Sequence, residues 1–298
     1  MTSTTRPERQ APGVYHRMVG DIAVTALNDG MFQGSFELLA EFDPAEAERL
    51  HRACFRAVPP NLTVNSFLLH LPDGRRVLVD SGCGGHLGPA LGKLAANLAV
   101  LGVTPAEVDV VLATHLHPDH AGGLTDAEGA ALFPAAELVV HAAEARFWRD
   151  DAVLAGAASD QDRMFVGLAR QALAAHRDRT REIASGEVLP GITAIPASGH
   201  TPGHTGWLIA SGGELLLIWG DIVHLPGIQF ARPQAGLVFD VDRAAAIATR
   251  RRMMDMAAAD RLLVAGMHLD FPAFGHVARA AEGYAFVPEV WTPWAEGA

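Results

Sequence analysis

The chain has 298 residues, 49% of them hydrophobic and 19% charged, with 23 Lys+Arg against 34 Asp+Glu and a formal charge of −11. This is a globular composition that excludes collagen-like, coiled-coil and wholly disordered chains, and no apolar run approaches the ~18 residues of a membrane span. The negative balance repels phosphate backbones and argues against nucleic acid as a partner, while Cys54 and Cys83 are too few for a disulfide framework or a thiolate zinc site.

Residues 1–12 are polar and hold Arg6, Pro7, Glu8 and Arg9 where a secretory signal needs an apolar run. Residues 1–14 therefore read as a flexible arm, and the protein as cytoplasmic. Residues 15–27 alternate as two short strands turning at Val19-Gly20-Asp21, and Pro44 suits the first turn of a helix. Residues 64–71 and 76–80 are strand-like and joined by Pro72-Asp73-Gly74. Leu91, Leu94, Ala95 and Leu98 predict an amphipathic helix over residues 87–101. Thr104-Pro105-Ala106-Glu107 forms a capping box, and residues 108–114 are a β-branched run with the look of a buried strand.

The second half continues in this style. A strand is predicted at 137–141, a helix from Ala142 carrying Phe147 and Trp148, and another helix over 162–176. Strands follow at 192–196, 206–210 and 214–219, the last two turning at Ser211-Gly212-Gly213. A helix over 240–259 carries Arg250-Arg251-Arg252, which reads as a solvated basic face. A strand at 261–266 and a closing hairpin at 275–287 complete the pattern. Nothing resembles a linker, so one α/β domain over residues 15–298 is the simplest division.

The chemistry concentrates in Thr114-His115-Leu116-His117-Pro118-Asp119-His120, at the end of the predicted strand. Residues two apart on extended chain face one side, so His115 and His117 can reach one ion. Pro118 then turns the chain, bringing Asp119 and His120 toward a second position. A solvated polar loop seldom holds three imidazoles and a carboxylate within six residues, whereas metal sites need them. Three further segments place ligand types where apolar strands stop: Gly199-His200-Thr201-Pro202-Gly203-His204, Trp219-Gly220-Asp221 and Gly266-Met267-His268. Each alone would read as a cap or a satisfied core group. Together they supply more ligands than one ion needs.

With these motifs the sequence resembles the metallo-β-lactamase-fold hydrolases, whose signature is His-x-His-x-Asp-His followed by a later His, Asp and His. The resemblance implies a four-layer αβ/βα sandwich with two divalent cations at the loop ends of its sheets. It assigns His115, His117 and His204 to one ion, Asp119, His120 and His268 to the other, and Asp221 to both. It makes Asp80, in Val79-Asp80-Ser81-Gly82, an orienting residue behind the ligands, and His200 structural. Residues 15–30, 87–98, 147–148, 199–205 and 283–288 further resemble the methyl parathion hydrolase branch, whose members hydrolyse organophosphate triesters, aryl esters and lactones. Residues 32–60, which contribute pocket residues in that branch, depart from it. The same branch resemblance suggests Trp148, Leu87 and Phe165 as substrate-pocket residues and a homodimer as the assembly.

All-nitrogen-and-oxygen ligation suits zinc, with manganese, iron or cobalt as substitutes. Such a pair of ions lowers the pKa of a bridging water toward 7 and yields a hydroxide that attacks a carbonyl carbon or phosphorus. Asp119 is then placed to carry a proton. His224, three residues after Asp221, stands where related lactonases present a tyrosine, which implies contact with substrate or leaving group. The expected activity is lactone, aryl ester or phosphotriester hydrolysis. A glyoxalase II type thioesterase is the enzymatic rival, and a non-catalytic metal-stabilised binding protein the rival of another class.

Overall fold

The strands of the first half alternate around a period of two. Val77 and Val79 belong to one apolar cluster and Leu78 to another, and Val110, Leu112 and Val139 separate in the same way from Val111, Leu138 and Val140. A sheet with apolar residues on both faces must be covered on both. The computed structural model, which describes residues 10–293, shows how. Two seven-stranded sheets face one another. The first runs β1 (Val14–Val19), β2 (Ile22–Gln33), β3 (Asn61–His70), β4 (Arg76–Val79), β5 (Val110–Leu112), β6 (Glu137–His141) and β7 (Thr180–Ile183) in spatial order. The second holds β8 (Gly186–Leu189), β9 (Ile192–Pro196), β10 (Thr205–Ser211), β11 (Glu214–Ile218), β12 (Leu263–Ala265), β13 (Phe274–Arg279) and β14 (Tyr284–Pro288), likewise in sequential adjacency. Strands β4 to β7 are parallel, as are β11 and β12; the other pairings are antiparallel.

The helices are α1 (Pro44–Ala53), α2 (Leu94–Val100), α3 (Pro118–Ala121), α4 (Ala142–Arg149), α5 (Asp151–Ala155), α6 (Asp160–Ala175), α7 (Pro226–Gln229) and α8 (Arg243–Ala259). Leu94 and Leu98 of α2, Ala145 and Trp148 of α4, and Val166, Ala169 and Leu173 of α6 cover the outer face of the first sheet. Met253, Met254 and Ala257 of α8 join the core of the second. The result is a four-layer αβ/βα sandwich, and none of the helices described is long and apolar enough to cross a membrane. Strand β1 begins at Val14, and residues 1–9 of the expected arm lie outside the described residues.

Three local expectations change. The helix over 87–101 is confined to α2, because Gly88 and Gly92 adopt positive φ around Pro89. A Cβ on Gly92 would lie 2.1 Å from the Gly84 carbonyl oxygen, so this tight loop needs glycine there. The buried carboxylate of Asp29 ties the loop down, accepting the N–H groups of Cys83 at 2.9 Å, Gly92 at 3.0 Å and Leu94 at 2.8 Å. Pro118, expected to turn the chain, opens the short helix α3 as it does so, since its fixed φ suits a first helical position, and α3 ends in one 3₁₀ turn at Gly122–Leu124. Finally, Arg250 is not part of a solvated face. It is 1% exposed, and its guanidinium donates to the carbonyls of Ile222, Pro233 and Ala235, leaving only Arg251 and Arg252 in water.

Candidate metal centre

Polar side chains collect where strands of both sheets end on one side. Asp80 follows β4, residues 115–120 follow β5, Asp221 follows β11 and His268 follows β12, while His200 sits in the turn between β9 and β10. Loops beyond the carboxyl ends of parallel strands are where sheet proteins hold ligands, because the ladder fixes their bases and leaves their tips free.

Two groups form on either side of Asp221, and a third, Asp221 with His224 and His268, overlaps them. In the first, Nε2 of His115 and Nδ1 of His117 are 2.9 Å apart, and His117 Nδ1 lies 3.0 Å from Nε2 of His200. Oδ2 of Asp221 is 3.2 Å from that His200 nitrogen and 3.6 Å from His115 Nε2. In the second, Oδ1 of Asp221 is 3.1 Å from His120 Nε2 and 3.3 Å from His268 Nε2. Oδ2 of Asp119 is 3.6 Å from that His120 atom and 3.5 Å from that of His268. One carboxylate thus presents one oxygen to each group.

The far sides of the rings assign their tautomers. His120 Nδ1–H donates to Asp80 Oδ2 at 2.7 Å, His268 Nδ1–H to the Thr63 carbonyl at 2.7 Å, and His200 Nδ1–H to Asp240 Oδ1 at 2.9 Å. Each inward nitrogen is left with a lone pair. Asp80 also accepts the N–H and the hydroxyl of Thr114, both at 2.7 Å, and holds a positive φ of 57° to do so. Lone pairs and carboxylate oxygens converging without a donor repel one another, so the arrangement calls for positive charge. His120 Nε2, His268 Nε2 and Asp221 Oδ1 are buried and have no hydrogen-bond partner among the described residues. Ligands about 2.1 Å from a tetrahedral cation lie about 3.4 Å from each other, close to the observed spacings. The residues fit a pair of divalent cations.

Without cations, protons answer the same demand. Burial opposes charge on His120, yet Asp221 and Asp119 carry its pKa well above the imidazole range. Burial likewise opposes charge on His200, and Asp221 and Asp240 raise it to about 9. His115 and His117 go well below the range through burial, reinforced by the neighbouring His120 and His200 charges.

His204 is not in either group, which corrects its assignment as a ligand. Its Nδ1–H donates to the Ala197 carbonyl at 2.9 Å and its Nε2 accepts the Asp221 N–H at 2.9 Å, so both ring nitrogens serve backbone. Burial and the His200 charge push its pKa down to about 3, consistent with that neutral role. His200, expected to be structural, occupies the place beside His115 and His117. Sequence alone offers both histidines five residues apart on one Gly/Pro turn, and only the turn's course decides which ring faces inward.

A cavity of about 500 Å³ opens over the two groups. Leu87 and Phe165 line it, together with His117, Asp119, His200, Asp221, His224 and His268. Trp148 does not line it, contrary to expectation. It packs edge-on behind His117 with centroids 5.6 Å apart, and its indole N–H donates to Glu144 at 2.6 Å. His224 forms part of the wall, with Nε2 2.8 Å from Asp221 Oδ2. Sequence reading missed Phe32, Gln33, Gly34, Ser35 and Leu38 and the pair Leu237 and Phe239 as walls, and Asp240 and Glu144 as supports. Chain-distant loops meet there, joined by the bridge Leu39–Leu237, and no local pattern signals that.

The sequence pattern of the metallo-beta-lactamase superfamily matches residues 59–268. A crystal structure of the hydrolase AbOPH, in the beta lactamase superfamily, aligns with TM-score 0.89 and 31% sequence identity over 95% of this chain and 100% of that one. The dizinc quorum-quenching lactonase AidC, in complex with a product, N-hexnoyl-L-homoserine, gives 0.88 and 24% over 94% and 99%. A probable metal-dependent hydrolase from Staphylococcus aureus gives 0.73 and 22% over 92% and 99%. The latter two are likenesses of fold. The matched pattern covers more than half of the chain and includes both ligand groups, so the chain belongs to the metallo-beta-lactamase superfamily.

Proposed function

We propose that this chain is a dinuclear metallohydrolase that cleaves neutral lactones and aryl esters, with organophosphate triesters as a further substrate class. The observation that carries the reading is Asp221, whose two oxygens face separate ligand groups at 3.1 to 3.6 Å beneath an apolar cavity. His115, His117, His200 and Asp221 would hold one cation, and Asp119, His120, His268 and Asp221 the other. The donor set suits zinc and is shared by manganese, iron and cobalt. When bound, such cations supply Lewis acidity toward a carbonyl or phosphoryl oxygen and lower the pKa of water.

The chain's own residues do the rest. Asp119, whose side chain is 17% exposed and borders the cavity, is placed to take a proton from attacking water and return it to the leaving group. His224 contacts the substrate or its leaving group from the wall. Phe32, Leu62, Leu91, Phe165, Leu237 and Phe239 hold an acyl or aryl group and exclude water from it. Among the described residues no Lys or Arg lines the cavity, so the carboxylates of a glutathione thioester find no side-chain cation on its walls. That counts against the glyoxalase II type reading. The lactonases among the similar folds support the substrate class.

The test is a metal count followed by a panel of aryl esters, acyl lactones, anionic thioesters and paraoxon-like triesters, each with and without chelator. Two equivalents of metal and chelator-sensitive turnover of a lactone or aryl ester are expected. Metal binding with no turnover of any panel member would favour a binding protein instead. Preferred turnover of the anionic thioester would favour the thioesterase.

A further inference from the structure

Glu144 is fully buried on α4, makes no ion pair among the described residues, and yet its carboxylate accepts four hydrogen bonds. Its Oε1 accepts the N–H of Leu116 at 3.0 Å and the indole N–H of Trp148 at 2.6 Å. Its Oε2 accepts the hydroxyl of Thr201 at 2.6 Å and the N–H of Gly203 at 3.0 Å. Leu116 lies between His115 and His117 in a loop of the first sheet. Thr201 follows His200, and Gly203 precedes His204, in a turn of the second. The approach is close: a Cβ on Gly203 would stand 2.3 Å from the Glu144 nitrogen.

We propose that Glu144 is a positioning residue that clamps the two loops together and so sets the 3.0 Å approach of His117 to His200 in the first ligand group. The two loops come from different sheets. One backbone hydrogen bond, from the Thr205 N–H to the Thr114 carbonyl at 2.9 Å, joins them at their bases, and the Glu144 carboxylate joins them further out, at Leu116, Thr201 and Gly203. An ionised carboxylate suits this task because it accepts from all four donors at once, while each bond to a charged acceptor is stronger than a neutral one. Burial alone raises the Glu144 pKa, and the four donors work against that rise. An amide could not replace it. With its oxygen toward Leu116 and Trp148, the NH₂ of a glutamine would meet the Gly203 N–H, donor against donor. The turn carrying His200 would loosen. The second group, Asp119, His120 and His268, has no bond to Glu144 and should keep its geometry.

The proposal rests on the metal reading for its consequence but not for its test. Hydrogen exchange on chelator-stripped protein reads the clamp without metal. E144Q should raise exchange at residues 114–117 and 199–205 at least 10-fold while α8 stays at the wild-type rate. T201V, which removes one donor and keeps the shape, should raise it less and only at 199–205. Cobalt(II) titration then reads the consequence. Wild type should take two equivalents, and E144Q should bind one as before and the other at least 10-fold more weakly. Wild-type exchange of both loops in E144Q would overturn the clamp, as would loosening spread equally over α8. A wild-type protein that binds no cobalt, with E144Q still loosening only the two loops, would fell the metal reading and uphold the clamp.

Discussion

Asp240 accepts the Nδ1 proton of His200 at 2.9 Å while its second oxygen takes the Leu237 N–H at 2.8 Å. One buried carboxylate therefore orients an inward-facing imidazole and fixes a wall of the cavity. Removing a carboxylate behind a ligating histidine costs roughly 10–100-fold in metal affinity, because the ring loses both its tautomer and its aim. D240A should show that loss at one of two metal equivalents, by titration of stripped protein. It should also raise KM, since Leu237 and Phe239 line the cavity. Wild-type affinity at both equivalents would refute the orienting role.

The two histidines of the 199–205 turn should separate cleanly. H200A removes an inward lone pair, and one metal equivalent should be lost with the fold intact. H204A leaves the Ala197 carbonyl and the Asp221 N–H without their buried partner, an effect of about 1–3 kcal/mol per group on stability. Metal count in H204A should stay at two. The reverse pattern, with H204A losing metal and H200A merely less stable, would restore the assignment made from sequence.

That assignment marks the limit of what sequence carries here. The cluster at residues 115–120 is legible because the ligands are adjacent and their geometry follows from one strand end and one proline. The strand ends at Asp221 and His268 are legible because an apolar run stops at a polar residue. Choosing between His200 and His204 depends on which ring a turn rolls inward, and that is settled by Glu144 and Asp240, far away in the chain. Trp148 reads equally well as a wall or as core from its helix alone. Its bond to Glu144 decides for core. The first turns of the 87–101 helix do not form because Gly88, Pro89 and Gly92 override the Leu periodicity and hold a loop that Asp29 ties down.

His224 hydrogen-bonds Asp221 Oδ2 at 2.8 Å and contributes to the cavity wall, stacked against His268 with ring centroids 4.9 Å apart. If it contacts substrate or leaving group, H224A should lower kcat by roughly 10²–10⁴-fold if it transfers a proton, and by less if it only positions. Metal count must be checked in the same sample, since His224 also neighbours a ligand carboxylate. Unchanged kinetics with two metals bound would remove it from the mechanism.

Acid stability provides a test away from the site. His176 ends α6 with its side chain wholly buried; its Nδ1–H donates to the Ala172 carbonyl at 3.0 Å and its Nε2 has no partner among the described residues. Burial, with the charge of Arg179, lowers its pKa below the ordinary 6.5, against the opposing pull of the Ala172 carbonyl. The sign follows directly. As pH falls from 7, the unfolded chain takes up this proton first, so stability declines from near pH 6.5 until the folded pKa is passed. One full proton corresponds to about 1.4 kcal/mol per pH unit, an upper bound on the share of one residue. H176L retains the backbone bond from residue 176 to the Ala172 carbonyl, 3.2 Å in the native chain, and removes the titrating ring. Urea unfolding of metal-free protein at pH 7, 6 and 5 should therefore show a shallower decline in H176L than in wild type. Parallel declines would mean that the His176 ring is protonated as easily in the folded chain as in the unfolded one.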